Sequence, residues 1–363
     1  MGARARAVVL ALALCAPLAL SELRVSAQRV EGLATPTFHH LHLNSVNPET
    51  AIEFYTKAFP STSKTTFAGE PALRSPNNVW VLFTRVSTPP ATQPVTAFWH
   101  FGWHVTDVRA TLDRYRKSNI PLLPLYTGLS SVASAKGDIG TGTVFVSSDT
   151  YPGSGGVLGL TIAGLADAKA KGITPAGGAG FAYLRGPDDA IVEYQGNMAA
   201  ERFNHVHMYQ DQPFCAQLWY QTHLNVPMAP PRAGAAAAQA SASQAIRTEA
   251  NCRVERGPDK TLPALDWDGM YRTPAVQTTV FGDVSLYFYM NQGSRPAGST
   301  RGHLIDHYAV SVAYLDAWLA KLKAENVTIL EAPYTIGGLR AFMIEGPSRE
   351  AIEIIEVSSS RPM

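Results

Sequence analysis

The chain has 363 residues, enough for two domains of about 150 residues each. Hydrophobic residues make up 46% and charged residues 16%, with a formal charge of +1, so an ordinary globular protein with a sizeable core is expected. Nothing in that balance favours nucleic acid or an acidic membrane surface as a partner.

Residues 1–27 read as a secretory signal, with Arg4 and Arg6 as its basic start, Val8 to Leu20 as the apolar run and Val25-Ser26-Ala27 as a small-residue cleavage site. Spanning a bilayer takes roughly 20 residues, so the run is short for an anchor, although an uncleaved anchor is the rival reading. Leu14 precedes Cys15 where lipid attachment would need a small residue. Cleavage removes Arg4, Arg6, Arg24 and Glu22 and leaves a charge of about −1. No second apolar run follows, so the processed protein is expected to be soluble and secreted or periplasmic, with no membrane partner. It keeps Cys215 and Cys252, which in an oxidising compartment either pair or stay as two free thiols.

After a linker at 28–36 comes the first strand, Phe38–Asn44 (FHHLHLN), with Leu41 and Leu43 on one face and His40 and His42 on the other. Asn47 then caps a helix with Pro48 in its first turn and Ile52, Phe54, Tyr55 and Phe59 along it. Val79–Val86 reads as a strand. The opening design returns at Trp99–Val105, where Phe101, Trp103 and Val105 oppose His100 and His104. Thr106-Asp107 leads into a helix through Leu112 and Tyr115. Strands are predicted at Gly142–Ser147, Val157–Ile162, Phe181–Leu184 and Ala190–Gln195, within and after a glycine- and serine-rich excess at 127–175.

At Asn204–Tyr209 Val206 and Met208 oppose His205 and His207, and Gln212-Pro213 opens a helix with Leu218, Trp219 and Tyr220. The interval from His205 to Tyr220 equals that from His40 to Tyr55, and Pro213 falls in the register of Pro48. Residues 226–265, with Pro230-Pro231 and an alanine-rich run, read as an inserted surface loop. Strands follow at Thr278–Phe281 and Val284–Met290. The fourth copy is Asp306–Val312, with Tyr308, Val310 and Val312 opposing His307, then a helix through Leu315, Leu319 and Leu322. Val327–Leu330, Ala341–Ile344 and Ala351–Val357 close the series. Four β-α-β-β-β units describe this, paired into halves that split near Gly196–Glu201. The fold class is therefore α+β, with tandem domains at 37–198 and 199–363.

Histidines aimed from several strands at one space ordinarily hold a metal. Each half also closes on a Gly-Pro turn and a strand, with a glutamate seven positions after the glycine: Gly186-Pro187 to Glu193, and Gly346-Pro347 to Glu353. A carboxylate in so apolar a strand needs a partner, and a divalent cation would serve.

With these motifs the chain resembles the vicinal oxygen chelate superfamily, which includes glyoxalases, bleomycin-resistance proteins and extradiol dioxygenases. The resemblance rests on His40…Phe54-Tyr55 and His205…Trp219-Tyr220, on His100…Asp107, and on His307 with Tyr314 where an aspartate is usual. The closing Gly-Pro…Glu phrases complete it, over residues 37–358. It implies one cup-shaped mixed sheet per domain, built from two modules, with ligands pointing into the cup. Carried over, the first domain would use His40, His100 and Glu193, and the second His205, His307 and Glu353. His42, His104 and His207 lie further along the same faces and are candidates for orienting substrate or moving protons. The plainer reading makes them hydrogen-bonded polar residues in a wet cup. His39, His223 and His303 are assigned to surface or packing, and Arg340 either meets an anionic substrate or lies on an exposed loop.

Two histidines and one carboxylate leave coordination positions open, which suits Fe²⁺ and oxygen activation first, and Mn²⁺ or Zn²⁺ as Lewis acids second. The resemblance thus implies a secreted metal-dependent enzyme whose small-molecule substrate chelates the ion through adjacent oxygens, an extradiol dioxygenase type first. A glyoxalase-like lyase or isomerase, and a non-catalytic resistance-type binding protein, are the alternatives. Val79–Phe83 and Ser285–Tyr289 carry no acid where the family's glyoxalases place one, which lowers the glyoxalase reading. The sequence does not fix the oligomeric state.

Overall fold

The structure, a computed structural model, describes residues 32–93, 95–123, 125–128, 144–146, 167, 170–172, 180–196, 198–227, 248–253, 270–272, 277–291 and 296–357. The leader, most of the 127–175 excess with the Val157–Ile162 strand, and most of the 226–265 insertion lie outside the described residues.

Each module starts with a strand and a helix. The first holds β1 (Thr37–Ser45), α1 (Pro48–Ala58), β2 (Ser63–Phe67), β3 (Glu70–Arg74) and β4 (Trp80–Arg85). The second holds β5 (Phe98–His104), α2 (Val108–Lys117), β6 (Leu125–Gly128), β7 (Val144–Val146), β8 (Phe181–Arg185) and β9 (Ile191–Gln195). The third holds β10 (Arg202–Gln210), α3 (Pro213–His223), β11 (Met270–Arg272), β12 (Gln277–Phe281) and β13 (Val284–Met290). The fourth holds β14 (Ile305–Val312), α4 (Leu315–Ala324), β15 (Ile329–Ile336), β16 (Leu339–Glu345) and β17 (Ala351–Glu356).

The helix starts follow local chemistry. Asn47 Oδ1 accepts from the Thr50 amide at 3.1 Å, and Asp107 Oδ1 from the Ala110 amide at 2.9 Å, each satisfying a donor that the first helical turn leaves open. Tyr314 precedes α4 without a side-chain cap. Among the described residues no helix is long and apolar enough to cross a membrane.

The strands form an eight-stranded sheet, β15-β16-β17-β14-β1-β4-β3-β2, a six-stranded sheet, β12-β13-β10-β5-β9-β8, and a small sheet, β11-β6-β7. Both large sheets are mixed: β1 runs antiparallel to β14 and parallel to β4, while β10 runs antiparallel to β5 and parallel to β13. Each large sheet therefore combines two modules, in agreement with the α+β fold class. The partners are the first module with the fourth, and the second with the third. The Gly196–Glu201 segment, expected as a seam, joins β9 to β10 inside one sheet.

All four apolar strand faces enter one continuous core, which contains Leu41, Leu43, Phe101, Trp103, Val206, Met208, Tyr308 and Val310. Phe38 of one sheet stacks on Phe203 of the other at 5.6 Å between ring centroids. Burial of that shared layer turns the histidine faces of both sheets away from each other. Between the sheets sits the fully buried Glu350, whose carboxylate accepts from Tyr220 (2.7 Å), Gln210 (3.1 Å) and the Ser348 amide (2.8 Å). Cys215 and Cys252 form a disulfide, which resolves the choice left open by the sequence and ties an interior residue of the 226–265 insertion to α3.

Candidate metal centres

Two sets of donors assemble, one per large sheet. In the eight-stranded sheet His40 Nε2 lies 3.1 Å from Glu353 Oε2 and 3.4 Å from His307 Nε2, and the latter is 3.9 Å from Glu353 Oε2. In the six-stranded sheet Glu193 Oε2 lies 2.9 Å from His100 Nε2, 3.5 Å from His205 Nε2 and 3.7 Å from His207 Nδ1. All seven side chains are buried. The six residues expected as ligands thus divide into two His–His–Glu trios, but not as grouped by the sequence. His40 does not join His100 and Glu193; it joins His307 and Glu353. His205 joins His100 and Glu193 rather than His307 and Glu353. The reason is strand pairing: β1 ladders with β14 and β10 with β5, so each trio takes its ligands from two modules on either side of residue 198.

The register is the same in both sheets. His40 on β1 faces Ala309 on β14, which faces Glu353 on β17. His205 on β10 faces Gly102 on β5, which faces Glu193 on β9. The remaining histidine of each trio, His307 or His100, stands two residues earlier on the middle strand, opposite His42 or His207. Gly102 has a steric reason to be glycine: a Cβ there would lie 2.5 Å from both the Glu193 carbonyl oxygen and the His205 imidazole.

Each ladder carries two irregularities, one per strand. The register shifts make His39, Trp99, Asn204 and Asp306 the extra residues, so each ligand histidine directly follows a bulge. A bulge brings consecutive side chains toward one side, and three of these residues reach the next histidine. His39 Nδ1 bonds His40 Nδ1 at 2.9 Å, Asn204 Oδ1 accepts from His205 Nδ1 at 2.8 Å, and Asp306 Oδ1 accepts from His307 Nδ1 at 2.7 Å. His39 is thus buried rather than on the surface, packed against Phe67 as well as bonded to His40. His223 pairs with Glu325 at 2.8 Å, and the His303 carbonyl accepts from Asn44 at 2.8 Å, so both lie away from the donor sets.

Of the three histidines expected to act on substrate, His42 and His207 stand beside the trios. His42 Nε2 is 2.7 Å from Thr84 Oγ1, and its ring lies 4.6 Å from that of His307. His207 Nδ1 is 3.1 Å from the Tyr289 hydroxyl as well as near Glu193. His104 stands outside the donors, with its Nε2 bonded to the Asn204 amide at 2.5 Å. Arg340 is exposed and paired with Asp316.

Electrostatics favour a cation. Burial pushes the Glu193 carboxyl up, but His205, His100 and His207 outweigh it and hold the group well below the usual carboxylate range. Burial likewise opposes ionisation of Glu353, and contacts from His40, His307 and Tyr334 bring it down to about 2. Burial lowers His40, and lowers His42 well below the ordinary histidine value. An ionised Glu353 beside a neutral His40 is the protonation state that metal ligation requires. His205 Nε2 and Glu353 Oε2 are moreover buried with no hydrogen-bond partner, while the second Glu353 oxygen accepts from Tyr334 at 2.6 Å. The donor sets therefore fit a divalent cation: the second as His100, Glu193, His205 and His207 within 4.8 Å of one another, the first as His40, His42 and His307 within 4.8 Å of one another, with Glu353 Oε2 3.1 Å from His40 Nε2.

Sequence reading missed His39, Asn204, Asp306, Tyr334 and Gly102. Three of them had a signal: a polar residue immediately before the histidine (HH, NH, DH) breaks the alternation of a regular strand, which is what a bulge does.

No family model and no curated protein sequence matches the chain. By structure it is similar to glyoxalase I from Zea mays, with a TM-score of 0.51 at 12% identity over 89% of this chain and 92% of that one. A point mutant of the same maize enzyme gives the same figures. A likeness at that identity concerns the fold and leaves the reaction open.

Proposed function

We propose that this chain, which has the vicinal oxygen chelate fold, is a secreted metal-dependent enzyme acting on a small molecule that presents two adjacent oxygens. The observation that carries this reading is the recurrence of a buried His–His–Glu trio in both large sheets, at one register. His40, His307 and Glu353 would hold one divalent ion, and His100, His205 and Glu193 the other. Fe²⁺ suits such a set with open positions, and Mn²⁺ or Zn²⁺ would also bind. The ion would supply Lewis acidity and, if iron, a place where oxygen and a catechol-like substrate meet, so extradiol cleavage is the reaction we favour.

The chain's own residues have separable tasks. The trios bind, and Tyr334 holds the outer oxygen of Glu353 so that the inner one faces the histidines. His42 has Nε2 engaged by Thr84 and its ring 4.6 Å from that of His307, which suits it to orient a substrate beside the first trio. Around the second trio Trp99, Tyr183 and Tyr287 supply aromatic walls against the rings of His100 and His207, suited to a flat substrate and to excluding water. The Cys215–Cys252 disulfide supports an oxidising compartment.

Purified protein loaded in turn with Fe²⁺, Mn²⁺ and Zn²⁺ should be assayed on a catechol panel with and without oxygen. Ring cleavage that consumes oxygen and needs Fe²⁺ is expected. Turnover without oxygen would replace the dioxygenase reading with a lyase or isomerase. Failure to bind any of these ions would leave small-molecule sequestration.

A further inference from the structure

We propose that the bulge residues His39, Asn204 and Asp306 are positioning residues, each engaging Nδ1 of the histidine that follows it and so fixing Nε2 as the atom offered to the cup. The geometry stands on its own; its purpose rests on the cation reading above.

An imidazole has two nitrogens, and in the neutral ring one donates while the other accepts. Which nitrogen faces a ligand is set by what the other one meets. In a regular strand the residue before each histidine would point to the opposite face, into the core, and could not reach the ring. The extra residue in each bulge removes that restriction. Asn204 Oδ1 and Asp306 Oδ1 are acceptors that draw the proton of His205 and of His307 to Nδ1; at His307 the Asp306 carboxylate at 2.7 Å is nearer than the competing donor Arg301 Nη1 at 3.3 Å. His39 Nδ1 meets His40 Nδ1 at 2.9 Å, and either ring nitrogen can be the donor, so here the contact fixes the ring's orientation and leaves its tautomer to the balance with Glu353.

The three residues differ in charge, size and type. They share a place in the ladder and an atom able to accept from Nδ1, which argues for a selected contact over incidental packing. Two of them are also held in turn. Asn204 Nδ2 is bonded to His104 Nε2 at 2.5 Å. Asp306 accepts from the Gly302 amide at 2.7 Å and from Arg301 Nη1 at 2.5 Å. The fourth bulge residue, Trp99, packs its indole edge-on to His100 with ring centroids 4.0 Å apart. Outer partners of this kind commonly change metal affinity by about 10–100-fold when removed.

The test uses the full chain labelled with ¹⁵N-histidine. Long-range ¹H–¹⁵N correlation on metal-free protein reads the tautomers, and competition with a chelator reads Zn²⁺ affinity. In the parent and in Asn204→Asp, which keeps an acceptor, His205 should carry its proton on Nδ1. In Asn204→Leu that tautomer should lose its dominance, and the affinity of one of the two centres should fall about 10–100-fold with the other unchanged. Asp306→Asn and Asp306→Leu repeat the comparison in the other sheet, so that a folding defect at one position does not decide the outcome. Unchanged tautomers and affinities in both leucine variants would overturn the proposal. A parent that binds no Zn²⁺, yet loses the Nδ1–H tautomer in the leucine variants, would overturn the cation reading and support the positioning role.

Discussion

His40 on β1 meets Glu353 on β17 at 3.1 Å between Nε2 and Oε2, joining the first strand of the fold to its last. That contact exists because the first module ladders with the fourth and encloses the second and third as a pair. Neither trio is complete in either half of the chain, so a fragment ending near residue 198 would carry only parts of both.

Gly102 is the position where the smallest change should have a large local effect. In Gly102→Ala the new methyl group would meet the Glu193 carbonyl and the His205 ring at 2.5 Å, so the ladder or the ligand must move. We expect loss of the ion bound by the second trio and a stability cost of about 1–3 kcal/mol, read by metal analysis and urea unfolding. Ala309→Gly, at the same register in the other sheet, should cost only about 0.5–1 kcal/mol and keep its ion. Equal behaviour of the two variants would contradict the steric account.

Acid should destabilise the metal-free protein in two stages. Burial first, and then the neighbouring His40 charge, lowers His39 from 6.5 to about 3; burial also lowers His40 and His42. As pH falls below 6.5 the unfolded chain takes up protons that the fold refuses, so stability is lost. Burial opposes the ionisation of Glu353, but its histidine and tyrosine contacts hold it at about 2 against 4.5, adding a second loss below 4.5. Glu350, raised by burial, acts with the opposite sign from 4.5 upward, but it is one group against several. Melting temperatures recorded from pH 7.5 to pH 4 should therefore fall continuously. A rise on acidification would contradict these assignments.

Both cysteines of the Cys215–Cys252 pair are in a bond that closes a loop across the inserted segment. Reduction, or the Cys215→Ser/Cys252→Ser double variant, should lower stability by about 2–4 kcal/mol as read by denaturant unfolding. The Zn²⁺ stoichiometry should not change, because neither cysteine lies in a donor set. Loss of metal on reduction would show that the disulfide supports a centre.

Much of the fold was legible because its signals are local. Alternation located the four histidine strands, and Asn47-Pro48 and Asp107 marked helix starts that the structure repeats. The ligand types were legible for the same reason: His40, His100, His205, His307, Glu193 and Glu353 each break an apolar pattern. Their grouping was not. Four equivalent modules can pair in more than one way, and either pairing brings two histidines and a glutamate together, so the choice lies in long-range ladders that no short motif encodes. The bulges were mostly legible, since His39, Asn204 and Asp306 disturb the alternation, while Trp99 fits an apolar strand residue and gives no sign.

The central claim is the pairing of ligands across the halves, and metal stoichiometry tests it most directly. The parent should bind two Zn²⁺ ions per chain. His40→Ala and Glu353→Ala should each lose one, and the double variant should still keep the other. His40→Ala combined with Glu193→Ala should lose both. If that second double variant keeps one ion while His40→Ala/Glu353→Ala loses both, the trios are grouped by halves and the pairing of ligands across them is wrong.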